Sequence, residues 1–388
     1  MSQQGFLVIA DITGYTAYLS DSELEHAQDS LSSLLNLLID HTTTPLTLSR
    51  LEGDAVISYA MDGTFLQGQT LVEIIEGTYV SFKRALEMMV LNTTCTCNAC
   101  KNISNLDLKF FVHHGTFLLQ QLGSHTELVG TDVNMVHRLT KNSIVEKTSI
   151  KAYTAYTQAA LDALEIPEFA ATMVSHEESY DVGPVSVFVQ DMTAVWERER
   201  SRVRTIVKPE DALLSVSIEV PIPPTLAWAY VTKPEYRAKY MMSDDARTTA
   251  RSDGRLGDGT VYVCAHGKSV YEQTIVDWQP FEQYTYQSTG FIKGNNSLTT
   301  TRLTATVNGT NISIVLGKTV GPLIVRVIED LLARLFATRP LDKGGHILLD
   351  VIEQDLAEGR LTQLSSGEQS VGISSGDVEA AAAASLTA

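Results

Sequence analysis

The sequence has little positive charge for its length. Its 388 residues include 29 lysines and arginines against 46 aspartates and glutamates, which gives a formal net charge of −17. A nucleic acid or an anionic membrane surface would repel a chain of this charge, so neither is expected as its main partner.

Export and membrane signals are also scarce. The chain has four cysteines, and its N-terminus lacks a basic region followed by an apolar run. The sequence therefore predicts no signal peptide and a reducing, cytoplasmic setting. The longest apolar stretch, residues 320–336, is interrupted by charged side chains, which predicts an amphipathic helix and no membrane span. With 44% hydrophobic and 19% charged residues, the chain can form two soluble globular domains, each with its own core.

An acid follows the first apolar run. Residues 6–10 predict a buried strand that ends on Asp11, and Gly14 predicts a turn just after it. A carboxylate in this place is costly to desolvate unless a cation or hydrogen-bond donors meet it. A glycine turn also allows backbone N–H groups to approach a phosphate. Taken alone, Asp11 is explained equally well as an ordinary turn residue.

A second acid lies at the tip of a predicted hairpin. Residues 46–51 and 55–59 predict two short strands, and Asp54 ends the tight turn between them. If this hairpin lies beside the first strand, Asp11 and Asp54 converge as two hard oxygen ligands. Magnesium bound with a nucleoside triphosphate needs about this set, because phosphates and water complete its octahedron.

Three blocks of sequence resemble the class III nucleotidyl cyclase catalytic domain, over about residues 5–190. They read VIADITGYT at 8–16, RLEGDA at 50–55, and HHG at 113–115 followed by GTDVNMVHR at 130–138. The family patterns are F-x-D-I-x-G-F-T, K-x-x-G-D-A, and H-T-G followed by G-x-x-V-N-x-x-x-R. The resemblance implies an α+β, ferredoxin-like β-α-β-β-α-β fold. It also implies a homodimer with each active site at the subunit interface.

The resemblance implies a role for each matching residue. Asp11 and Asp54 would hold two ions of Mg²⁺ or Mn²⁺, which activate the ribose 3′-hydroxyl of ATP and neutralise its triphosphate as cyclic AMP and pyrophosphate form. Asn134 and Arg138 share one face of a helix predicted over residues 129–141, and they would orient the ribose and stabilise the transition state. Without the other motifs, a solvated helix face would explain them. The backbone expected to hold the phosphates is that of Ile12, Thr13, Gly14 and Tyr15.

Two features depart from the family pattern. Arg50 and Glu127 stand where the family reads adenine with Lys and Asp. They keep the donor and acceptor types, which favours ATP, although Arg and Glu also suit guanine. Residues 179–187 contain no Lys or Arg where the family usually holds the triphosphate with a Lys, and Lys141 or Lys147 could substitute. The alternative function is a catalytically degenerate nucleotide-binding or dimerisation module.

The remaining sequence predicts a linker, a second domain and a tail. Residues 191–211 are charged and lack an apolar period, which predicts a linker after a first domain of residues 1–190, or a capping helix in their first half. Residues 212–361 predict one strand, short helices, an antiparallel sheet and a long helix, which is a helix-grip layout. Residues 362–388, rich in Ser, Gly and Ala, predict disorder.

The second domain resembles the SRPBCC (START/Bet v 1-like, polyketide cyclase) superfamily. The segments that carry the resemblance are VPIPPTLAW, GRLGDGT and VDWQP. It implies an apolar small ligand such as a lipid, and a role as sensor or partner of the cyclase-like domain. Eight aromatic residues predict either a cavity lining or plain core packing. They are Trp228, Tyr230, Tyr240, Tyr262, Trp278, Tyr284, Tyr286 and Phe291.

Three further patterns concern local structure. Residues 108–113 and 116–122 predict two strands joined near Gly115. Residues 156–164 predict a short helix. Residues 320–357 predict a helical region interrupted around Pro340 and Gly344-Gly345.

An insertion before residue 108 contains three cysteines, Cys95, Cys97 and Cys100. With one histidine they would form a four-ligand zinc site. The candidates for that histidine are His26, His113 and His114. The paired C-x-x-C units typical of such sites are absent, so reduced loop cysteines explain the cluster as well.

Overall fold

The structure is a computed structural model that describes residues 2–361, apart from 21, 93–94, 96, 123–124, 251–252, 268 and 290–294. The tail predicted to be disordered, residues 362–388, lies outside the described residues. The described chain divides into two compact units, residues 1–202 and residues 203–362, here called unit 1 and unit 2. Among the described helices, none has the length and apolar character needed to cross a membrane.

Unit 1 combines one large sheet with nine described helices. Its strands are β1 (Gln3–Thr13), β2 (Thr47–Glu52), β3 (Ala55–Met61), β4 (Asp107–Leu122), β5 (His125–Val129), β6 (Tyr153–Thr157), β7 (Val174–Tyr180) and β8 (Gly183–Asp191). Its helices are α1 (Tyr15–Ser20), α2 (Leu24–Thr42), α3 (Gln69–Asn92), α4 (Asn98–Asn102), α5 (Thr131–Leu139), α6 (Ile144–Thr148), α7 (Gln158–Leu164), α8 (Pro167–Ala170) and α9 (Met192–Arg200).

The strands of unit 1 lie in the order β2-β3-β1-β4-β6-β8-β7, and β5 pairs with the far end of β4. The four strands β2, β3, β1 and β4 pair antiparallel throughout. Helices α1 and α2 connect β1 to β2, and α3 leads from β3 towards β4. This is the ferredoxin-like order, so the α+β prediction is confirmed. Strand β1 reads as a continuous apolar run because it lies in the middle of the sheet and both of its faces are covered.

Two local predictions for unit 1 are wrong. Residues 107–122 form one strand, whose first part pairs with β1 and whose end pairs with β5. Gly115 is not a turn residue: a Cβ atom there would lie 2.5 Å from the Asp132 carboxyl group, so glycine makes room for that side chain. The helix predicted over 156–164 begins only at Gln158, because Tyr156 belongs to β6. All five residues of β6 are buried, so no alternation reveals the strand.

The segment predicted as a linker contains helix α9. Val195 and Trp196 of this helix are buried, and Arg200 reaches Glu87 of α3 at 3.4 Å. Its N-cap residue Asp191 accepts hydrogen bonds from two backbone N–H groups of the first turn. The first half of residues 191–211 is therefore a helix packed on unit 1, the alternative that the sequence left open.

Unit 2 is a seven-stranded antiparallel sheet with helices. Its strands are β9 (Ala212–Val220), β10 (Asp245–Ala250), β11 (Val261–His266), β12 (Ser269–Gln279), β13 (Gln283–Thr289), β14 (Asn296–Thr306) and β15 (Gly309–Gly317). Its helices are α10 (Pro224–Thr232), α11 (Pro234–Tyr240), α12 (Leu323–Phe336) and α13 (Thr338–Ala357). The sheet order is β10-β11-β12-β13-β14-β15-β9, and α13 packs against the sheet at β9, so the helix-grip layout is confirmed.

The break in the C-terminal helical region lies at Ala337, which corrects the predicted position. Pro340 falls in the first turn of α13, where its missing N–H group is not needed for a helical hydrogen bond. Gly344 lies inside α13. A larger residue would not fit there, because a Cβ atom would come within 2.5 Å of the Tyr240 carbonyl oxygen. Both residues therefore permit the helix to continue.

Candidate functional site

Strand pairing brings the two candidate metal ligands together. Asp11 lies opposite Ala55, the residue after Asp54, in the β1–β3 ladder. The Ile12 N–H group donates to the Asp54 carbonyl oxygen at 3.3 Å. The hairpin therefore lies beside the first strand, which is the condition for the two carboxylates to converge.

The electrostatics of the pair are unfavourable without a cation. Burial raises the pKa of Asp11, and nearby Lys109 opposes the shift. Burial, followed by the charge of Asp11, raises the pKa of Asp54 to about 6. Because burial and the charge of Asp11 both disfavour ionisation of Asp54, a cation bound here would offset that cost.

The turn after β1 has the shape that glycine permits. Gly14 has a φ of +89°, and a Cβ atom there would lie 3.3 Å from the Asn105 carbonyl oxygen. Before it, Ile12 is buried and the Thr13 hydroxyl is buried without a hydrogen-bond partner among the described residues. After it, Tyr15 is buried at the start of α1. The turn therefore places a buried polar oxygen next to Gly14.

A lysine that the sequence analysis missed lies beside the carboxylates. Lys109 of β4 is the cross-strand partner of Asp11, and its Nζ atom is 5.2 Å from the ring centre of Tyr153. Lys141 and Lys147, the predicted substitutes for the absent triphosphate lysine, are exposed. Lys109 could have been identified only from the register in which the first strand pairs with residues 108–113. Local sequence does not specify that register.

The two candidate base-reading residues contact each other. Arg50 Nη1 donates to Glu127 Oε2, and Arg50 Nε donates to Glu52 Oε1 at 2.7 Å. His137 joins the group, with Nδ1 3.6 Å from Glu52 and Nε2 3.3 Å from Arg50. Burial and Arg50 lower the pKa of His137, and Glu52 opposes them. Arg50 and Glu127 thus present a donor and an acceptor side by side.

Helix α5 carries the remaining pair. Asn134 is exposed, whereas Arg138 is half-buried and forms two contacts with Asp181, at 2.8 and 2.9 Å. Asp181 lies in the turn between β7 and β8, in the segment where a phosphate-binding lysine was expected. This turn therefore places an acid on the arginine.

The carboxylate pair and the α5 pair form separate groups. Among the described residues, no hydrogen bond or ion pair links Asp11 or Asp54 to Asn134 or Arg138. Helix α5 packs through Val133, Val136 and Leu139 on the sheet face that carries Leu7 and Ile9. Asp11 is on that same face, because side chains two residues apart in a strand point the same way.

The three loop cysteines meet one histidine of α2. His26 Nδ1 lies 3.3 Å from Cys97 Sγ and 3.7 Å from Cys95 Sγ, and Cys100 completes the group. The other two candidate histidines have different contacts. His113 binds Thr157 at 2.9 Å, and His114 binds Asp62 at 2.8 Å.

Unit 2 contains a cavity of about 470 Å³. Its lining comes from the sheet, from α11 and the residues after it, and from α12 and α13. Of the eight aromatic residues named from sequence, Tyr240 and Tyr286 line it. Phe291 lies outside the described residues. The others are buried in core packing: Trp228, Tyr230, Tyr262, Trp278 and Tyr284.

A buried arginine lies behind this cavity. Arg237 is 1% exposed and donates to the hydroxyls of Tyr240 and Tyr284 at 3.1 and 2.7 Å and to Gln273 Oε1 at 2.6 Å. Its Nε atom has no hydrogen-bond partner among the described residues. Tyr240 and Gln273 also line the cavity. Two residues of the cavity wall therefore accept hydrogen bonds from Arg237, whose described partners are all neutral.

Two family models match parts of the chain. Residues 31–148 match a family described as a protein of unknown function, DUF2652. Residues 211–348 match the family described as polyketide cyclase / dehydrase and lipid transport, which confirms the predicted resemblance of the second domain. An uncharacterized protein of Mycobacterium tuberculosis is 28% identical over 151 residues, 38% of this chain, and the match spans 66% of that relative's length.

Three solved structures illustrate the structural matches. The adenylyl cyclase CyaB of P. aeruginosa is 14% identical with a TM-score of 0.37, over 49% of this chain and 95% of its own. The guanylyl cyclase domain of the RhoGC fusion protein of Blastocladiella emersonii is 14% identical with a TM-score of 0.34, over 48% and 96%. A Mycobacterium smegmatis protein is 12% identical with a TM-score of 0.31, over 39% and 98%. The chain thus matches a polyketide cyclase-type family model in its C-terminal half, and cyclase domains are among the structures similar to its N-terminal half.

Proposed function

We propose that unit 1 is a nucleotidyl cyclase-like domain that converts ATP to cyclic AMP and pyrophosphate. The observation that carries the proposal is the adjacent pair of Asp11 and Asp54, where β1 meets the β2–β3 hairpin. Burial and the charge of Asp11 make Asp54 harder to ionise, so its ionised form destabilises the ligand-free protein. A local arrangement that costs stability is expected at a site kept for a ligand.

Divalent ions fit these donors. Mg²⁺ and Mn²⁺ take carboxylate oxygens and complete their coordination with water and substrate phosphates. Asp11 and Asp54 would hold two such ions, and the buried hydroxyl of Thr13 offers a further oxygen nearby. Bound ions would supply activation of the ribose 3′-hydroxyl and neutralisation of the triphosphate.

Three side chains of this protein would bind and orient the substrate and stabilise the transition state. Lys109, beside Asp11, would hold the triphosphate in place of the lysine that residues 179–187 lack. Asn134 would orient the ribose. The charge of Arg138 would stabilise the α-phosphoryl group while the 3′-oxygen bonds to phosphorus and the bond to the pyrophosphate oxygen breaks.

A homodimer would assemble the complete site. Within one chain, no described ion pair or hydrogen bond joins the carboxylates to Asn134 or Arg138. We infer that one copy contributes Asp11 and Asp54, and that its partner contributes the α5 pair together with Arg50 and Glu127. Arg50 and Glu127 would meet the base as donor and acceptor, which favours adenine.

The alternative, a degenerate nucleotide-binding or dimerisation module, rests on Asp181. Its carboxylate neutralises Arg138 from the turn where a phosphate-binding cation was expected. Arg138 must exchange this partner for phosphate. The exchange costs little, because exposed ion pairs are worth about 1 kcal/mol or less.

The test is direct. The purified full-length chain is incubated with ATP or GTP and Mn²⁺, and cyclic nucleotide is measured by mass spectrometry. We expect cyclic AMP from the wild type and from Asp62→Ala, a control acid that contacts His114, and none from Asp54→Ala. Cyclic GMP alone would reverse the base assignment. Nucleotide binding without any cyclic product would support the degenerate module.

A second function is favoured by the cavity of unit 2. Its volume of about 470 Å³ suits a small apolar ligand. Arg237, buried among neutral partners, favours an acidic head group at the end formed by Tyr240 and Gln273. Glu329, which accepts a hydrogen bond from Asn295 at 3.0 Å, lines the part formed by α12. Unit 2 would therefore bind an apolar acid of the fatty-acid type, as sensor or partner of unit 1.

Thermal shift and native mass spectrometry test this binding. A saturated fatty acid should stabilise the full-length protein more than the alcohol of the same chain length. Ala333→Trp, which fills the cavity from α12, should abolish the shift. Equal shifts for the acid and the alcohol would contradict the role proposed for Arg237. No shift with either compound would contradict the proposal that the cavity binds a fatty acid.

A further inference from the structure

Four side chains of unit 1 meet away from the carboxylate pair. The ligand atoms of His26, Cys95, Cys97 and Cys100 all lie within 4.8 Å of one another. His26 comes from α2, whereas the cysteines lie just before and within α4, about seventy residues later. Reduced loop cysteines would not require a nearby histidine. The position of His26, on a helix distant in sequence, therefore requires its own explanation.

We propose that these four residues bind one Zn²⁺ ion in a structural Cys₃His site. This goes beyond the proposed function, because nucleotide chemistry does not use the group. The edges of a tetrahedral zinc site are about 3.6–3.8 Å between neighbouring nitrogen and sulfur ligands. The contacts of His26 Nδ1, 3.3 Å to Cys97 and 3.7 Å to Cys95, are close to that spacing.

The backbone around the cysteines favours thiolates. The Cys97 N–H group donates to Cys95 Sγ and the Cys100 N–H group donates to Cys97 Sγ, both at 3.4 Å. Donors aimed at sulfur stabilise the charged form that a metal binds. Four protein ligands leave no open position for a substrate, which is typical of structural zinc.

The ion would brace the turn at Gly14. It would join the N-terminal part of α2 to α4, and α4 leads directly into the 3₁₀ turn Ile103–Asn105. The Asn105 carbonyl oxygen is the atom that a Cβ at Gly14 would approach to 3.3 Å. Zinc would therefore fix the position of residues 103–105, which pack against the turn between β1 and α1.

Metal analysis of the full-length protein tests the site. Protein purified under reducing conditions from zinc-supplemented cells should contain about one zinc per chain. Cys97→Ser and His26→Gln should each lose most of it. Cys264→Ala should retain it, because Cys264 is a buried residue of β11 in unit 2 and serves as the matched cysteine control.

Cobalt provides a readout that does not depend on any variant folding. Co²⁺ added to reduced, metal-free wild-type protein should give the intense visible bands of a tetrahedral thiolate site, and Zn²⁺ should remove them. Zinc-free wild type with no cobalt bands would overturn the proposal, and so would full zinc content in both Cys97→Ser and His26→Gln. Neither result depends on cyclase activity, so the zinc site and the proposed function can fail separately.

Discussion

The two units treat buried charge in opposite ways. In unit 1, Asp11 and Asp54 bring two charges of the same sign together where β1 meets the hairpin. In unit 2, Arg237 is enclosed among tyrosine hydroxyls and an amide. The carboxylate pair of unit 1 has Lys109 as a neighbouring cation, whereas the described hydrogen-bond partners of Arg237 include no acid.

Two other buried charges of unit 2 have partners of opposite charge. Asp277 is paired with Arg204 at 3.1 Å, and Asp355 with Arg360 at 3.0 Å. Arg237 has only neutral described partners, and Tyr262 and Tyr286 stack near its guanidinium carbon at 4.6 and 4.9 Å. Under the proposed functions, a cation would bind at the carboxylates of unit 1 and an acidic group would bind near Arg237 of unit 2. The following experiments test this comparison.

Mixing two inactive variants should produce the largest effect. Asp54→Ala and Arg138→Ala should each reduce cyclic nucleotide formation at least about a hundredfold, because each removes charge stabilisation of the reaction. Equal mixtures should recover about a quarter of wild-type activity, since half of the dimers are mixed and each has one intact site. The assay is product formation after co-refolding or co-expression. If the mixture is as inactive as each variant alone, the proposal that the active site is shared between two subunits is contradicted.

Arg237→Gln should reduce the preference of unit 2 for an acidic ligand at least about tenfold, because a charge-assisted hydrogen bond is worth about 1.5–3 kcal/mol. Binding of the alcohol with the same chain should change little. Competition against a fluorescent fatty acid measures both. Arg302→Gln, on the exposed side of β14, is the control. Unchanged acid preference in Arg237→Gln would contradict the comparison for unit 2.

Acid should weaken metal binding to unit 1. The pKa of Asp54 is about 6 in the metal-free protein, so a proton competes with the ion below that pH. Apparent Mn²⁺ affinity should fall about tenfold per pH unit below 6 and level off above 7. Titration calorimetry at pH 5 and 7.5 measures the difference. Equal affinity at the two pH values would show that Asp54 is not a ligand.

Asp181→Asn should increase nucleotide affinity or turnover by up to about fivefold, the equivalent of an exposed ion pair worth about 1 kcal/mol. The gain arises because Arg138 no longer has to leave a carboxylate. In the Arg138→Ala background the same change should have no effect. A gain that persists without Arg138 would assign Asp181 another role.

Asp54→Asn should stabilise the metal-free protein slightly. The pKa of Asp54 is higher in the folded chain, about 6, than its ordinary value of 3.8, so its ionisation costs folding free energy, increasingly as pH rises from about 4 to 6 and fully above 6. After allowance for partial exposure, the gain at pH 7 should be on the order of 1 kcal/mol and should vanish at pH 4. Urea unfolding at both pH values measures it. Destabilisation at pH 7 would mean that the folded chain does not disfavour the ionised form of Asp54.

Much of the framework could be predicted because it is encoded locally. The apolar run before Asp11, the turn at Asp54 and the period of the helices depend on neighbours in the chain, so most strands and the hairpin follow from pattern. The ferredoxin-like order was implied by the family resemblance. Strands β5, β6, β7 and β10 were not predicted, since a strand buried on both faces or paired at an edge lacks clear alternation. The helix in residues 192–200 was left as an alternative to a linker.

The acid and the glycine turn after the first strand, the acid at the hairpin tip and the three clustered cysteines can each be identified from sequence, because each lies in a short local pattern. Tertiary structure alone decided that Lys109 stands beside Asp11, that Asp181 holds Arg138, and that His26 faces the cysteines. It also decided that Arg237 is enclosed behind a cavity. These contacts join residues far apart in the chain, and strand register and helix packing, which no local pattern specifies, bring them together.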